Sequence, residues 1–414
     1  MSIAPNEDVW RSWSGRVASS PVRRESPRDE AEVAAAVQRA ARDGLVVRVA
    51  GAGHSHMPLV ASEGALLSVD ALSGVESFDA ATLEATIRAG TRIHDLGEPL
   101  RRLGGALANQ GDVDTQALAG AVATGTHGTG PTLGSLSSRV TGFRWVDAGG
   151  AMQEWSERDH CERFDAARVS LGLFGVVTAI RMRLVPPYRL HEQIWRAPTE
   201  ETLADLDAFI GATRHFEFFW IPSKDAVEIK TLDPTDAMPE SLAATAAAGA
   251  SDPPQRRDRR RERIDWSDRI FPSIRDVRFN EMEYAVPAES GPACFRAVRE
   301  RMRARHPDVI WPVEYRTLAA ESAWIGPGHG RATVTISLHQ GAELPCDPCF
   351  SDVEAIFREH GGRPHWGKVH FATAAELASR YPRWEDFRKV RRELDPEGRF
   401  LNRHLRSLFE PEST

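Results

Sequence analysis

Long apolar runs are missing from this 414-residue chain. No stretch approaches the roughly 18 apolar residues that a membrane span requires, so no spanning segment is expected. The opening MSIAPNEDVWRSWSG is acidic and lacks the apolar core of a secretory leader. The twin arginines Arg23–Arg24 run into Glu, Ser and Pro rather than into an apolar stretch. The expected location is therefore cytoplasmic. An excess of one charge is missing too. A net charge of -7 and a pI near 6.1 give no reason to expect nucleic acid as a partner. The one basic cluster, RRDRRRER at 256–263, is interrupted by acids and has no interleaved aromatic, so it reads as a solvated loop or helix face. Cysteine is scarce: Cys161, Cys294, Cys346 and Cys349. The CDPC unit at 346–349 has no second C-x-x-C, which favours free thiols over a redox pair or a zinc site.

What is present is a steady supply of helix and strand signals. SPRDEAEVAAAVQRAARDG, Ser26 to Gly44, opens on a cap-like segment, continues with alanine-rich helical periodicity and closes on glycine. The β-branched run Val46–Val49 follows as a buried strand. A short amphipathic helix is expected near Ile93–Leu103, a hairpin in VTGFRWVDAGGAMQEW, and a strand in FGVVTAIRMRLVP that ends at Pro186–Pro187. Beyond that double proline, 216–221, 226–230, VRFNEMEYAVP, VIWPVEYRTL and RATVTISLHQ read as strands. The Ala-, Pro- and Arg-rich stretch 234–261 cannot bury much apolar surface and is expected to be a mobile excursion. Short strands and helices without regular alternation give an α+β class, and the length suffices for two domains.

Three glycine-rich turns lie in the first half. GAGHSH (51–56) lacks the third glycine of a dinucleotide fingerprint and the Lys-Ser/Thr of a phosphate loop. Its bare amides can bind an anion beside a histidine nucleophile. LAGAVATGTHGTG (118–130) is built almost wholly of small residues. These let backbone approach a phosphate, unless the segment is simply a tightly packed loop under a helix. SLGLFGVVTAI (170–180) places Gly172 and Gly175 just before a strand.

The second half offers candidates for chemistry. Glu314 and Arg316 in PVEYRT stand at i and i+2 and share a strand face. Such a pair is often a surface salt bridge, but the flanking Trp311, Pro312 and Val313 favour burial. The guanidinium is expected to push the Glu314 pKa down. In RPHWGKVH, His365 and His370 are five apart, which fits no standard zinc helix, so no metal is expected. Lys368 between Gly367 and Val369 reads as a desolvated cation able to polarise a hydroxyl or carbonyl. His339 in TISLHQ stays open between pocket and core.

Taken together, VRVAGAGHSH, LAGAVATGTHGTG and SLGLFGVVTAI resemble the FAD-binding (PCMH-type) half of the vanillyl-alcohol-oxidase-type flavoproteins. FNEMEYAVP, VEYRT, GGRPHWGKVH and LDPEGRFLNRHLRSLF extend the resemblance over nearly the whole chain. Within that group the chain is most similar to the branch of aldonolactone oxidases (L-gulonolactone and D-arabinonolactone oxidases) and alditol oxidases. The resemblance implies an FAD-binding domain of two α+β subdomains over 1–186, completed by 385–414. A substrate or cap domain with an antiparallel sheet would occupy 187–384. It implies FAD held by Gly51, Ala52, Gly53, His54, Ser55, Ala117, Val122, Thr124, Gly125, Thr126, His127, Gly128, Gly172, Gly175 and Val177, with His54 bonded covalently to the flavin 8α-methyl. His56 has no such match and is expected to be structural or solvent-facing.

For catalysis the resemblance implies Glu314, Arg316, Lys368 and His339. A CH–OH group of a sugar-derived lactone would pass a hydride to flavin N5, and the electrons would go on to oxygen or another acceptor. The alternative is an alditol oxidase that turns a polyol into an aldose and hydrogen peroxide. Alditol oxidases carry a serine where this chain has Ala117, which tilts the expectation towards a lactone. His404 replaces a tyrosine of the related C-terminal motif, so a different outer pocket is expected.

Overall fold

The structure, a computed structural model, describes residues 9–239, 261–273 and 277–411. A two-stranded ribbon of β1 (Trp10–Arg11) and β2 (Ala18–Ser19) leads into a parallel sheet. That sheet contains β3 (Arg23–Glu25), β4 (Val47–Ala50) and β5 (Ala65–Ser68), in the order β3-β5-β4. Helix α1 (Glu30–Arg42) crosses between β3 and β4. Asp29 caps it by accepting the Glu32 N–H at 2.8 Å, and its buried stripe of Val33, Ala36, Val37 and Ala40 has helical spacing. That stripe packs on Val47, Ala65 and Leu67 of the sheet.

An antiparallel sheet follows, with β6 (Val75–Asp79), β7 (Glu84–Arg88), β8 (Val140–Val146), β9 (Met152–Ser156) and β10 (Val176–Arg183) in the order β6-β7-β10-β8-β9. β8 and β9 form the expected hairpin. The core on this sheet takes in Phe143, Trp145, Phe164 and Phe174. Helices Trp384–Leu394 and Arg403–Phe409 seal it with Phe387, Leu405 and Phe409. The return of the chain to this core begins ahead of 385: Trp366, Leu377, Tyr381 and the segment Ala323–Ile325 already belong to it. Their aromatic and aliphatic surface finds cover here, away from the large sheet that they follow in sequence.

After Pro186–Pro187 the chain enters a third, antiparallel sheet. Its strands are β11 (Arg189–Pro198), β12 (His215–Ile221), β13 (Ala226–Thr235), β14 (Arg261–Trp266), β15 (Phe279–Pro287), β16 (Val313–Leu318), β17 (Thr333–Gly341) and β18 (Arg363–Pro364). The order is β14-β11-β13-β12-β16-β17-β15-β18. Of the stretch expected as a mobile excursion, 240–260 lie outside the described residues. Its ends are regular strand, with Pro234 and Thr235 finishing β13 and Arg261 opening β14. The basic cluster is likewise strand, not loop or helix, over Arg261–Arg263; Arg263 hydrogen-bonds Glu192 of β11 across the ladder, and 256–260 lie outside the described residues.

The period of two decides what the large sheet can do. One face presents Phe216, Phe218, Trp220, Val313, Tyr315, Ile336, Leu338, Met282 and Tyr284. Helices Gly291–Arg305 and Asp347–Glu359 cover this face with Phe295, Val298, Phe350 and Val353. The intervening positions, Glu217, Lys230, Glu281, Glu283, Glu314, Arg316, Ser337 and His339, carry charge or a polar group, and they too are buried. A sheet with one apolar face and one buried polar face has been built around a site.

Candidate active site

Three glycine-rich segments converge at the C-terminal end of β4. Backbone and small side chains of Gly51, Ala52, Gly53, His54, Ser55, Ala117, Thr124, Gly172, Gly175 and Val177 line one groove, joined by Arg48, Gln116 and Ala119. Close approach is built in: a Cβ at Gly51 would meet the Ala117 Cβ at 2.8 Å, and Gly172 sits at φ +66. Among the described residues no acidic side chain lines the groove, and the one charged residue there, Arg48, is buried and donates to the carbonyls of Leu59, Leu171, Gly172 and Phe400, which ties the β4 end to the third glycine-rich segment and the C-terminal tail. A long trough of bare amides without carboxylates fits the pyrophosphate and rings of FAD.

Five residues expected at the cofactor do not line this groove, and one of them, Thr126, faces an adjoining cavity. Val122 is buried in the core under the helix Leu118–Thr124, and Gly125 closes that helix at φ +76 against Pro327. A Cβ on Gly128 would strike the Gln110 carbonyl at 2.3 Å, so this glycine serves loop packing. His127 turns to the large sheet: its Nε2 lies 3.0 Å from Glu283 Oε1, and its Nδ1 donates to the Gly128 carbonyl at 2.7 Å. With both ring nitrogens facing acceptors, the imidazolium form is favoured. Burial opposes that charge, but Glu283 outweighs burial and raises the His127 pKa.

The groove opens at His54 and Gln116 into a second cavity. Trp13, His56, Asp112, Thr126, His127, Phe279, Glu281, Glu283, Glu314, Arg316, His339, His365 and Lys368 line it. All four residues expected to be catalytic therefore face one space. His54 stands at the junction, its ring 5.0 Å from that of Trp13 and its Nε2 2.7 Å from Thr115 Oγ1. Burial and the nearby Lys368 lower its pKa to about 4, so the imidazole is neutral. His56 is not solvent-facing. It is buried, its backbone N–H donates to the Gly367 carbonyl at 2.7 Å, and it lines the cavity. Lys368 is paired with Glu281 of β15, and His339 donates Nδ1–H to the Pro312 carbonyl at 2.8 Å while Nε2 faces Glu281. His339 is thus a pocket residue.

The electrostatics overturn one expectation. Arg316 pulls the Glu314 pKa down as expected, but it does not set the net direction. Its Nη2 lies 2.6 Å from Glu314 Oε1, off the line of a good hydrogen bond, while its Nε donates to Glu217 at 2.8 Å and Nη2 also faces Asp112 at 3.3 Å. Burial, with the repulsion of Glu217, Asp112 and Glu281, outweighs Arg316 and pushes the Glu314 pKa up to about 8. Glu281 goes the other way: burial opposes ionisation, but Lys368 and His339 bring its pKa to about 2. The acids are crowded, with ligand atoms within 4.8 Å of one another in Glu281–Glu314–His339 and in Asp112–Glu217–Glu314. Arg316, Lys230 and Lys368 supply the countercharge.

His365 and His370 do not converge. His365 lines the cavity and accepts the Gly367 N–H at its Nδ1, whereas His370 is buried away from it beside Trp366 and His404. His404 packs against His370 and lines neither the groove nor the cavity. The thiols of Cys294, Cys346 and Cys349 are buried and in no disulfide, with pKa values raised by burial to about 12, 11 and 12. Asp112, Glu217, Lys230, Glu281 and Glu283 were not singled out from sequence. Four of them had a signal, a lone charge on the alternate positions of otherwise apolar strands (FEFFW, VEIK, NEMEY).

A groove suited to FAD that opens onto a wall of paired acids and bases defines a flavin-dependent oxidoreductase. Sequence comparison agrees: an FAD binding domain matches residues 25–156, and D-arabinono-1,4-lactone oxidase matches 180–251 and 253–408. The chain belongs to the D-arabinono-1,4-lactone oxidase family. It is 36% identical to an L-gulono-1,4-lactone dehydrogenase of Mycobacterium tuberculosis (strain ATCC 25618 / H37Rv), over 97% of this chain and 99% of that protein. It is 27% identical to the L-gulonolactone oxidase of Bos taurus (97% and 98% covered) and 29% identical to an alditol oxidase of Streptomyces sp. (96% and 98%). The fold matches cholesterol oxidase from B. sterolicum with a TM-score of 0.81 at 17% identity, covering 97% of this chain and 96% of that one. The architecture is that of the vanillyl-alcohol-oxidase-type flavoproteins. Among the described residues no helix is long and apolar enough to cross a membrane.

Proposed function

We propose that this protein oxidises a CH–OH group of a sugar-derived lactone, of the gulono- or arabinono-1,4-lactone type, with FAD in the groove and the substrate in the adjoining cavity. The observation that carries this reading is the convergence of Glu314, Arg316, Lys368 and His339 on one cavity that meets the groove at His54 and Gln116. Bound FAD supplies the hydride acceptor. The chain supplies the rest. Glu314, its pKa raised to about 8 by burial and the neighbouring acids, is the group suited to take the substrate hydroxyl proton. Lys368, anchored by Glu281, polarises that oxygen, and Arg316 carries a fixed positive charge beside it. Trp13 and Phe279 close the apolar side of the cavity.

His54 is proposed as the covalent tether to the flavin. Its neutral ring sits at the mouth of the groove with Nε2 held by Thr115, which leaves Nδ1 to form the bond. Arg48, Gly51 to Ser55, Ala117, Thr124, Gly172, Gly175 and Val177 would hold the rest of the cofactor. The FAD-binding unit is proposed to run to about Pro186 and to be completed by the C-terminal helices. Electrons would leave to oxygen or another acceptor, and thiols in no disulfide favour a reducing, cytoplasmic compartment. The test is an anaerobic screen of lactones, aldoses and alditols for bleaching of the flavin. Bleaching by alditols alone would move the assignment to a polyol oxidase.

A further inference from the structure

A row of charges runs across the sheet beside the substrate cavity, and its members Arg316 and Asp112 line that cavity. Three adjacent strands place Lys230 (β13), Glu217 (β12) and Arg316 (β16) side by side, since Glu217 is registered with Lys230 on one side and with Arg316 on the other. Lys230 Nζ lies 2.9 Å from Glu217 Oε1 and 3.3 Å from Asp112 Oδ1, and Glu217 Oε2 accepts from Arg316 Nε at 2.8 Å. All four are buried; Glu217 does not line the substrate cavity, and Lys230 faces a neighbouring cavity of about 820 Å³ that shares Asp112, Phe279 and His339 with it. The choice of lysine is itself unusual. Against 52 lysines and arginines in total, lysine stands only at Lys224, Lys230, Lys368 and Lys389. Two of these four serve this one sheet face.

We propose that Lys230 and Glu217 are positioning residues for the oxidation: they aim Arg316 and set the charge that Glu314 carries. The inference rests on the reading of Glu314 as the proton acceptor. Counting charges makes the argument. Among the described residues, Asp112, Glu217 and Glu314 face Arg316 and Lys230, so these five side chains sum to zero when Glu314 holds a proton and to -1 when it does not. The other groups facing Glu314 are Glu281 of β15 and His339 of β17. Glu281 is balanced by Lys368, and the neighbouring Glu283 by His127.

The two substitutions then act in opposite directions. Lys230→Met removes a cation, so ionising Glu314 would leave -2, and its proton is held more tightly. Glu217→Gln removes an anion, so Glu314 ionises to a neutral cluster and releases its proton more easily. A buried charge at this range moves such an equilibrium by about one pH unit.

The test titrates the FAD-loaded protein by infrared difference spectroscopy, following the carboxylic-acid C=O band that disappears in Glu314→Gln. The midpoint is expected about one unit higher in Lys230→Met, about one unit lower in Glu217→Gln, and near the parent value in Lys230→Arg, which restores the cation. Reductive half-reaction pH profiles of the same variants should move in parallel. Equal midpoints in all variants, or shifts of the same sign, overturn the proposal. If the infrared midpoints split as described but the rate profiles do not follow, Glu314 is not the proton acceptor: the reading of the site fails while the electrostatic role stands. Flavin content and a Tm near the parent value confirm that each variant is folded, and if Lys230→Met is not, Lys230→Gln, which also removes the cation, takes its place against Glu217→Gln.

Discussion

Replacing Glu314 by glutamine is the most revealing single perturbation of the site. The change keeps the side chain's shape and its capacity to meet Arg316, but it removes the titration. With a pKa of about 8, about one-tenth of Glu314 is ionised at pH 7. The ionised fraction climbs from about one-hundredth at pH 6 to about nine-tenths at pH 9. If the carboxylate takes the substrate proton, the limiting rate of flavin reduction rises about tenfold for each pH unit up to the midpoint and then levels. Glu314→Gln should flatten that limb. Losing a general base costs roughly a hundredfold or more at the plateau, so the variant should be slow at pH 9 and should approach the parent near pH 6, where little carboxylate exists. The assay is anaerobic stopped-flow reduction at saturating substrate on flavin-replete protein. A variant that keeps the parental limb, or that loses the same factor at every pH, would refute the assignment of the proton to Glu314.

Other expectations follow from the same geometry. Lys368→Met preserves the packing of the stem and removes the charge, so reduction should slow by roughly a hundredfold with FAD content unchanged; an unaltered rate would place polarisation elsewhere. Arg316→Leu should lower the flavin's affinity for sulfite and its reduction potential as well as the rate, and unchanged sulfite binding would remove it from the flavin's surroundings. Acid-precipitated parent protein should stay yellow, whereas His54→Ala should release all its flavin on precipitation yet still bind FAD when folded; release from the parent would end the tether proposal but leave the groove. His370 is buried with neither ring nitrogen bonded among the described residues, and burial lowers its pKa to about 3 from 6.5. A depressed histidine pKa costs stability as pH falls below about 6.5 and the unfolded chain takes up the proton first. His370→Phe should therefore raise Tm more at pH 5 than at pH 7.5, and an equal effect at both would contradict the sign.

Much of the architecture could be read in the chain because its signals are local. The helical stripe of α1, the hairpin of β8 and β9 and the glycine turns each lie within a few residues. Glu314 and Arg316 could be paired because i and i+2 must share a strand face. Their charge states could not be read this way, because those depend on Asp112, Glu217 and Glu281, which reach the pair from other strands and a distant loop. The position of His127 was hidden for the same reason: its partner Glu283 lies 156 residues away. Val122 and Gly125 belong to a small-residue motif, but the helix they sit on turns one side to the core, and sequence alone did not say which. The charged residues at alternate positions of FEFFW, VEIK and NEMEY were legible in principle. The same alternation is what a strand with one face in water shows, so the pattern marked which face is polar and not that this face is buried.

The central claim is that the groove and the cavity together oxidise a sugar-derived lactone. Mixing the flavin-loaded protein anaerobically with L-gulono-1,4-lactone or D-arabinono-1,4-lactone tests this most directly. The account predicts saturable bleaching of the flavin by at least one of them, faster than by any alditol. A flavin that stays oxidised with both lactones, in protein shown to be folded and fully loaded, would contradict it.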